Sequence, residues 1–372
     1  MGRIKIDYGI DLGTTNSALA VLNKGEIDVK NIDRSNIVPS CVAYDRRGNV
    51  RVGNTALPLE PNFSEFKREM GTDWSAQKRS EINEQVNAEE LSAELLKKLK
   101  GEITEEQFKS VVITVPAMFD MNQVAATKRA GHLAGFEQVE ILMEPVAAAF
   151  VYGFKHKIKN GKFVVFDFGG GTFDAALVKA EGGVMTVESS EGDNYLGGKD
   201  LDNVVVKNVL LPLLKDNYDI ENLDKEALET LKQKLKKIAD VLKIDLGKKD
   251  TKEVFTDLEQ LGNDATGKEI EIDKTFTIDE VHGAMTDIFM KAIGHAKKLL
   301  EVNNLSISDL TAFVLVGGPT QIPLFRELIE KEITKPDLSL NAMTAIAEGA
   351  ALYAATFNND CDSHGALVGG SP

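Results

Sequence analysis

Two short segments hold the residues most able to do chemistry. Gly13-Thr14-Thr15 and Gly169-Gly170-Gly171-Thr172 each follow an aspartate, Asp11 and Asp167, at the end of an apolar run. Glycine lets a backbone approach a ligand closely, and a glycine turn can aim successive N–H groups at one point, as phosphate binding requires. A carboxylate beside such a cradle repels phosphate unless a cation lies between, so the pair of aspartates implies a divalent metal. Mg2+ keeps several waters and takes few direct protein ligands; Asp11 and Asp167 are therefore expected to act through water. Glu144 ends another apolar run just before Pro145. It is a candidate for positioning or deprotonating an attacking water; the plainer alternative is a helix-start acid stabilised by the helix dipole. Gly317-Gly318 offers a strand–glycine–helix junction where a nucleoside or phosphate can meet the backbone.

The elements that must position these residues repeat. Tyr8 to Leu22 and Phe163 to Val178 both read as strand, glycine turn, strand, and Asp11 and Asp167 stand 156 positions apart. That domain-sized interval points to a duplicated α/β unit rather than a solenoid. Ser110 to Val115 reads as a buried strand stopped by Pro116, Asn122 to Gly135 as a helix, Val139 to Met143 as a strand, and Pro145 to Val151 as an Ala-rich helix. In the second half, Ala312 to Val316 reads as a strand, Pro323 to Lys331 as a helix, and Asn341 to Ala355 as a second Ala-rich helix. Two stretches look inserted. Residues 40–110 mix turns with a charged helix, Ala88 to Lys100, and residues 199–283 carry a helical stripe of Leu228, Leu231, Leu235, Ile238 and Leu242. The expected division is a first core of 1–39 and 111–158 with insert 40–110, a second core of 159–198 and 284–357 with insert 199–283, and a loose tail, 358–372.

Composition bounds these readings. The chain has 372 residues, 43% hydrophobic and 27% charged, which are globular values and fit two or three domains. Its net charge of −15 makes it a poor non-specific nucleic-acid binder, although a few local donors can still hold a phosphate. Cys41 and Cys361 are too few and too far apart for a disulfide framework or zinc cluster, and the five histidines lack metal-ligand spacing. The first residues show no apolar signal core, and no window approaches 18 uncharged apolar residues, so a cytoplasmic protein without a membrane span is expected. Gly262 to Lys268 has the spacing of a Walker A loop, but Glu269 stands where a serine or threonine must hold Mg2+, so it reads as a surface turn.

Ile10-Asp-Leu-Gly-Thr-Thr15, Phe166-Asp-Phe-Gly-Gly-Gly-Thr-Phe-Asp174 and Leu315-Val-Gly-Gly-Pro-Thr-Gln-Ile-Pro323 together resemble the ATPase domain of the seventy-kilodalton heat-shock (DnaK-type) chaperones. Ile113-Thr-Val-Pro-Ala117, Glu144-Pro-Val-Ala-Ala-Ala149 and Gly192-Asp-Asn-Tyr-Leu-Gly-Gly-Lys-Asp200 support it, and the resemblance runs over about residues 4–357. It implies a bilobal α/β ATPase of actin-like fold, two ribonuclease H-like lobes each with an inserted subdomain, and ATP or ADP in the cleft. By this resemblance Gly13, Thr14, Thr15 and Asn16 hold phosphates together with Gly169, Gly170 and Gly171, and Asp11 and Asp167 orient the water shell of Mg2+. Lys67 resembles the family's catalytic lysine. Glu144, Thr172 and Asp174 would position water and monovalent cations such as K+. Gly198, Asp240, Lys243, Gly247, Gly317, Gly318, Pro319 and Gln321 would form the nucleoside side. Implied partners are a peptide-binding domain, a J-domain co-chaperone and a nucleotide exchange factor.

The departures from the family are specific. Pro319 and Gln321 stand where it usually has Ser and an Arg that can stack on adenine, and Ile244 and Gly247 replace part of its base clamp. Weaker nucleotide affinity is therefore expected. Val124 stands where an arginine partners the family's relay proline, here Pro116, and Asn341-Ala-Met-Thr344, with Met343, replaces a more acidic Asn-Pro-Asp-Glu. Both changes bear on signalling to a peptide-binding part. The segment 40–110 looks shortened, and the chain ends where a Leu-rich linker would begin, so an ATPase portion without its peptide-binding part is expected. The alternatives are an ATP-sensing module with little turnover and an actin-like filament protein.

Overall fold

The computed structural model describes residues 8–101, 103, 109–257 and 259–357; the expected loose tail, 358–372, lies outside them. Two sheets organise the molecule. The first has the strand order Gln138–Met143, Ser110–Val115, Tyr8–Asp11, Asn16–Asn23, Glu26–Val29, with Val38–Pro39 pairing Asn16–Asn23. The second runs Val184–Asp193, Phe173–Glu181, Gly161–Phe168, Ala312–Val316. In each, a strand ending near an aspartate has an antiparallel hairpin partner on one side and a parallel strand on the other. Asp11 lies opposite Ala18, while Asp167 lies opposite both Asp174 and Val316. Valine, isoleucine and phenylalanine fill these central strands, as expected where both faces are covered.

Alternation explains how the second hairpin aims its acids. Side chains on a strand point alternately to opposite faces. Phe166, Phe168 and Phe173 therefore share the face that packs with Phe289 and Phe325, and their rings stack at 4.6 to 6.4 Å. Asp167 and Asp174 project to the other side.

Two Ala-rich helices, Glu144–His156 and Ala345–Thr356, pack together and join the core around Val112, Val165 and Val314. Their closest approach is backbone on backbone: a methyl group on Gly349 would overlap the Ala147 carbonyl. The helix Ala345–Thr356 also lies against Tyr8–Asp11, where Gly9 abuts Ala350 and Ala351.

The stripe expected in 199–283 falls in the helix Lys225–Asp245, which buries Leu231, Leu235, Ile238 and Leu242 and is capped by the Asp224 carboxylate at the Ala227 amide, 2.8 Å away. Several boundaries differ from those expected. The helix Met121–Leu133 starts early because Asp120 and Gln123 form a capping box. Glu144 lies inside the first turn of its helix, which runs on to His156. The last helix starts at Ala345, because Asn341 closes a turn through its side chain on the Met343 amide, 3.0 Å. Between residues 40 and 88, where turns were expected, stand five short strands: Cys41–Tyr44, Val50–Val52, Asn62–Ser64, Ser75–Arg79 and Ile82–Asn87. The loop with Walker A spacing is a turn built on Asp264, which accepts from the Thr266 and Lys268 amides.

Candidate nucleotide site

The second glycine turn is held by its carbonyls. Gly169 O accepts from the Gly198 amide at 3.0 Å and Gly170 O from the Lys199 amide at 2.9 Å, both at the start of the helix Gly198–Val205. Gly171 O accepts from Arg68 Nε at 3.0 Å and Nη2 at 2.7 Å. In a trans peptide C=O and N–H point opposite ways. Pinning three consecutive carbonyls therefore turns the N–H groups of Gly170, Gly171 and Thr172 to the other side, and among the described residues no hydrogen bond takes these three. That is the form of an anion cradle.

The first turn faces it. A methyl group on Gly170 would overlap Thr15 Oγ1, and one on Gly171 would overlap Thr14 Cγ2. Thr15 Oγ1 is buried with no hydrogen-bond partner. This turn is fixed from within: the Gly13 amide donates to Ser17 Oγ (3.1 Å), Ser40 Oγ donates to Gly13 O (2.6 Å), and the two serine hydroxyls lie 2.9 Å apart. Asn16 opens the next strand, opposite Pro39.

Beneath the turns lies an acidic cluster around one ammonium. Lys67, 4% exposed, donates to Glu144 Oε1 at 2.7 Å and lies 5.7 Å from the Phe119 ring centre. Burial, reinforced by Glu144 and opposed by Lys67, pushes Asp11 up to about 7. Burial and Glu144 do the same to Asp174, also to about 7, against Lys67 and the Ala117 and Met118 amides. Asp167 is held well above the usual carboxylate range by burial and by the charges of Glu144, Asp174 and Asp11. Four carboxylates thus face one ammonium, an imbalance that a cation would relieve. Asp174 Oδ1 is buried with no partner. Among the described residues no group of three or more His, Cys, Asp or Glu is placed to hold a metal ion.

The model of the family described as Hsp70 protein matches residues 7–368. The chain belongs to the Hsp70 family. It is 36% identical over 371 residues to the chaperone protein DnaK of Ureaplasma urealyticum serovar 10, covering 96% of this chain and 60% of that protein. It is 34% identical over 360 residues to the chaperone protein DnaK of Methanothermobacter thermautotrophicus, covering 92% and 58%. The chain spans about 60% of the length of these curated relatives.

The residues expected on the nucleoside side lie as follows. Gly317, with φ +90°, lies where a side chain would overlap Phe168 O and come 3.0 Å from Asp167 Oδ1, so only glycine fits. Pro319 packs over Gly198, about 3.4 Å from where its Cβ would be. Gly318 opens the turn that contains Pro319. Lys243 Nζ binds Asp202 Oδ1 (2.5 Å), Asp240 Oδ1 (2.9 Å) and Gly198 O (3.2 Å). Burial pulls Lys243 down, but Asp202 and Asp240 outweigh it and hold the ammonium above its ordinary value. An ammonium has three donors, and all three are engaged. Lys243 thereby braces Gly198, which in turn pins Gly169.

Two expected residues are not brought to the turns. Gly247 follows the end of the helix Lys225–Asp245, and among the described residues no hydrogen bond joins it to either turn. Gln321 is exposed and lines a separate pocket of about 170 Å3 with Thr320, Arg326 and Asn341. Sequence reasoning missed Arg68, Asp200, Asp202, Ser17 and Ser40. Arg68 stands beside Lys67, and Asp200 closes the segment Gly192 to Asp200; neighbourhood to a motif was the available signal.

The described residues form a mixed α/β structure, in keeping with the actin-like fold of Hsp70 ATPase domains. No helix among them is long and apolar enough to cross a membrane.

Proposed function

We propose that this chain is the ATP-binding and ATP-hydrolysing domain of a DnaK-type chaperone, with the triphosphate between the two glycine turns. The observation that carries the reading is the pinning of the Gly169, Gly170 and Gly171 carbonyls, which frees three successive N–H groups opposite Thr14 and Thr15. The names of the two relatives agree with it.

In this reading Gly13, Thr14, Thr15, Asn16 and Gly169 to Gly171 hold the phosphates. Lys67 offsets the charge that develops on the γ-phosphate; Glu144 takes one of its donors and leaves two. Asp174 Oδ1 and Thr172 accept and orient the attacking water, and with Glu144 they offer oxygens to K+. The buried, unpartnered Asp174 Oδ1 and the excess of carboxylates fit a hydrated Mg2+, oriented by Asp11 and Asp167 through its waters. When bound, Mg2+ offsets negative charge on the β- and γ-phosphate oxygens. The nucleoside would lie along Gly198, Gly317, Gly318 and Pro319, with Asp240 and Lys243 bracing that wall and Gly247 and Gln321 at its margin.

The same reading takes the two sheets as ribonuclease H-like lobes, 1–39 with 111–158 and 159–198 with 284–357, carrying the inserts 40–110 and 199–283. The chaperone partners (a peptide-binding domain, a J-domain co-chaperone, a nucleotide exchange factor) and a cytoplasmic setting follow from the same proposal. ADP titration by calorimetry with Mg2+, followed by single-turnover ATP hydrolysis, tests it. Saturable ADP binding with slow hydrolysis is expected. Binding without hydrolysis would leave an ATP-sensing module, and neither binding nor hydrolysis overturns the reading.

A further inference from the structure

Lys67 and Arg68 are adjacent and do different work. They sit on a short 3-10 segment, Phe66–Glu69, entered through Glu65 at φ +62°. Lys67 turns into the acidic cluster. Arg68 reaches 103 positions along the chain to Gly171 O and 132 to Asp200 Oδ2, the latter at 2.7 Å, with Glu65 Oε2 at 3.5 Å from Nη1. A guanidinium that served a phosphate directly would keep its donors free. Here Nε and Nη2 are both engaged by protein, and Asp200 balances the charge. Asp200 Oδ2 also accepts from the Gly197 amide at 2.8 Å, so the same carboxylate sets the start of the helix whose first amides hold Gly169 and Gly170.

We propose that Arg68 is a positioning residue for hydrolysis: by fixing the Gly171 carbonyl against Asp200 it aims the Thr172 N–H at the terminal phosphate. The inference rests on the ATPase reading above. Of the three pinned carbonyls, Gly169 and Gly170 are held by neighbouring amides of one helix, whereas Gly171, nearest Thr172 and Asp174, is held from the segment that carries Lys67. The peptide that faces the γ-phosphate is thus set only when that segment is in place. Arginine is required because its planar fork gives two parallel donors, whereas lysine offers a point charge. The chain's one tryptophan, Trp74, lies six residues beyond Arg68 and reports on the same segment.

The test compares wild type with Arg68→Gln, Arg68→Lys and Asp200→Asn. For Arg68→Gln the single-turnover rate should fall about tenfold while ADP affinity stays within about twofold, because ADP lacks the phosphate that the Thr172 N–H serves. Arg68→Lys should recover only part of the rate, and Asp200→Asn should fall between. Melting temperatures should stay close to wild type. A wild-type rate in folded Arg68→Gln overturns the proposal, as does an equal loss of ADP and ATP affinity with a lowered melting temperature. Should wild type bind nucleotide without hydrolysing it, the ATPase reading fails, and Trp74 emission decides the inference. Inorganic phosphate added to the ADP-bound protein should then shift emission in wild type and not in Arg68→Gln; identical shifts overturn it.

Discussion

The two glycine turns share a motif and differ in what holds them. The first is locked by hydroxyls of its own sheet and its neighbourhood: Ser17 on the Gly13 amide, Ser40 on the Gly13 carbonyl. The second has one bond of its own, the Gly169 amide on the Thr172 carbonyl at 2.9 Å, and among the described residues no hydroxyl takes its other carbonyls. Its carbonyls are held by two amides of the helix Gly198–Val205 and by Arg68, and that helix is braced in turn by Lys243. Both turns take help from some way along the chain, but only the second is tied to a far one: Arg68 lies 103 positions from Gly171, whereas Ser17 lies four from Gly13. A local lock gives rigidity, whereas a distributed one makes the shape of the site depend on how those segments stand. The Gly-rich sequence fits this: Gly169, Gly170 and Gly171 supply no side chains with which to lock themselves.

Four experiments probe the contrast, in descending size of effect. Lys67 lies in the acidic cluster beneath both turns, bound to Glu144. Lys67→Ala should lower single-turnover hydrolysis about 10²–10³-fold while calorimetry still shows ADP binding; an unchanged turnover would remove Lys67 from the mechanism. Gly170→Ala should weaken ADP binding about tenfold or more, near 1.4 kcal/mol, because the methyl group overlaps Thr15 and must part the turns. Unchanged affinity would mean that the turns need not touch. Ser40→Ala strips the carbonyl of Gly13 of its donor and should lower unfolding free energy by about 1–3 kcal/mol in urea titrations. For a locally locked turn the loss appears as stability rather than rate, and a rate defect without a stability defect would erase the distinction.

The smallest effect is a pH slope. His282 is buried, its Nε2 lies 3.3 Å from the Lys243 carbonyl, and Nδ1 has no partner. Burial lowers its pKa from 6.5, against the Lys243 carbonyl. The unfolded chain therefore takes up a proton first. The stability that His282 contributes is present above pH 6.5 and is lost as pH falls below it. Asp11 and Asp174, raised to about 7, take up protons in the folded chain over the same range and oppose this loss, so His282 is read as a difference: from pH 7.5 to 5.5 the melting temperature of His282→Asn should fall less, or rise more, than that of wild type. The serines behind the first turn do not titrate, so an unaltered slope in the variant would place the acid sensitivity elsewhere. The departures at Pro319 and Gln321 add one more expectation: ADP should bind more weakly than nanomolar.

The turns were legible because their signal is local: an apolar run, an aspartate, then glycine. The stripe in Lys225–Asp245 was legible for the same reason, since helical periodicity is written within a few turns. What was hidden is contact between distant positions. Nothing around Arg68 announces that its guanidinium closes on Gly171, and nothing around Lys243 announces that Asp202 takes its charge. The five strands between Cys41 and Asn87 are three to six residues long, and all but the buried Cys41–Tyr44 are partly exposed, too short for a period-2 pattern to rise above turn-like composition. The sequence puts the start of the last helix four residues early because Asn341 to Thr344 continues the small-residue run, while the Asn341 side chain closes a turn there.

The seam between the helices Glu144–His156 and Ala345–Thr356 has its own consequence. Where Gly349 meets Ala147, no side chains mesh. On either side of that contact the seam is keyed: the Phe150 and Tyr353 rings lie edge to face at 5.6 Å, and Lys155 Nζ binds Glu348 Oε2 at 2.7 Å. Close backbones and keyed side chains together hold the pair to one crossing angle. Glu144 rides at one end of the first helix; at the other, about 18 Å away at 1.5 Å per residue, Tyr152 and His156 grip Asp337 and Ser339. The helix therefore joins the Lys67–Glu144 pair and the 337–339 loop into one rigid part. It is a strut, with the acidic cluster at one end and that loop at the other.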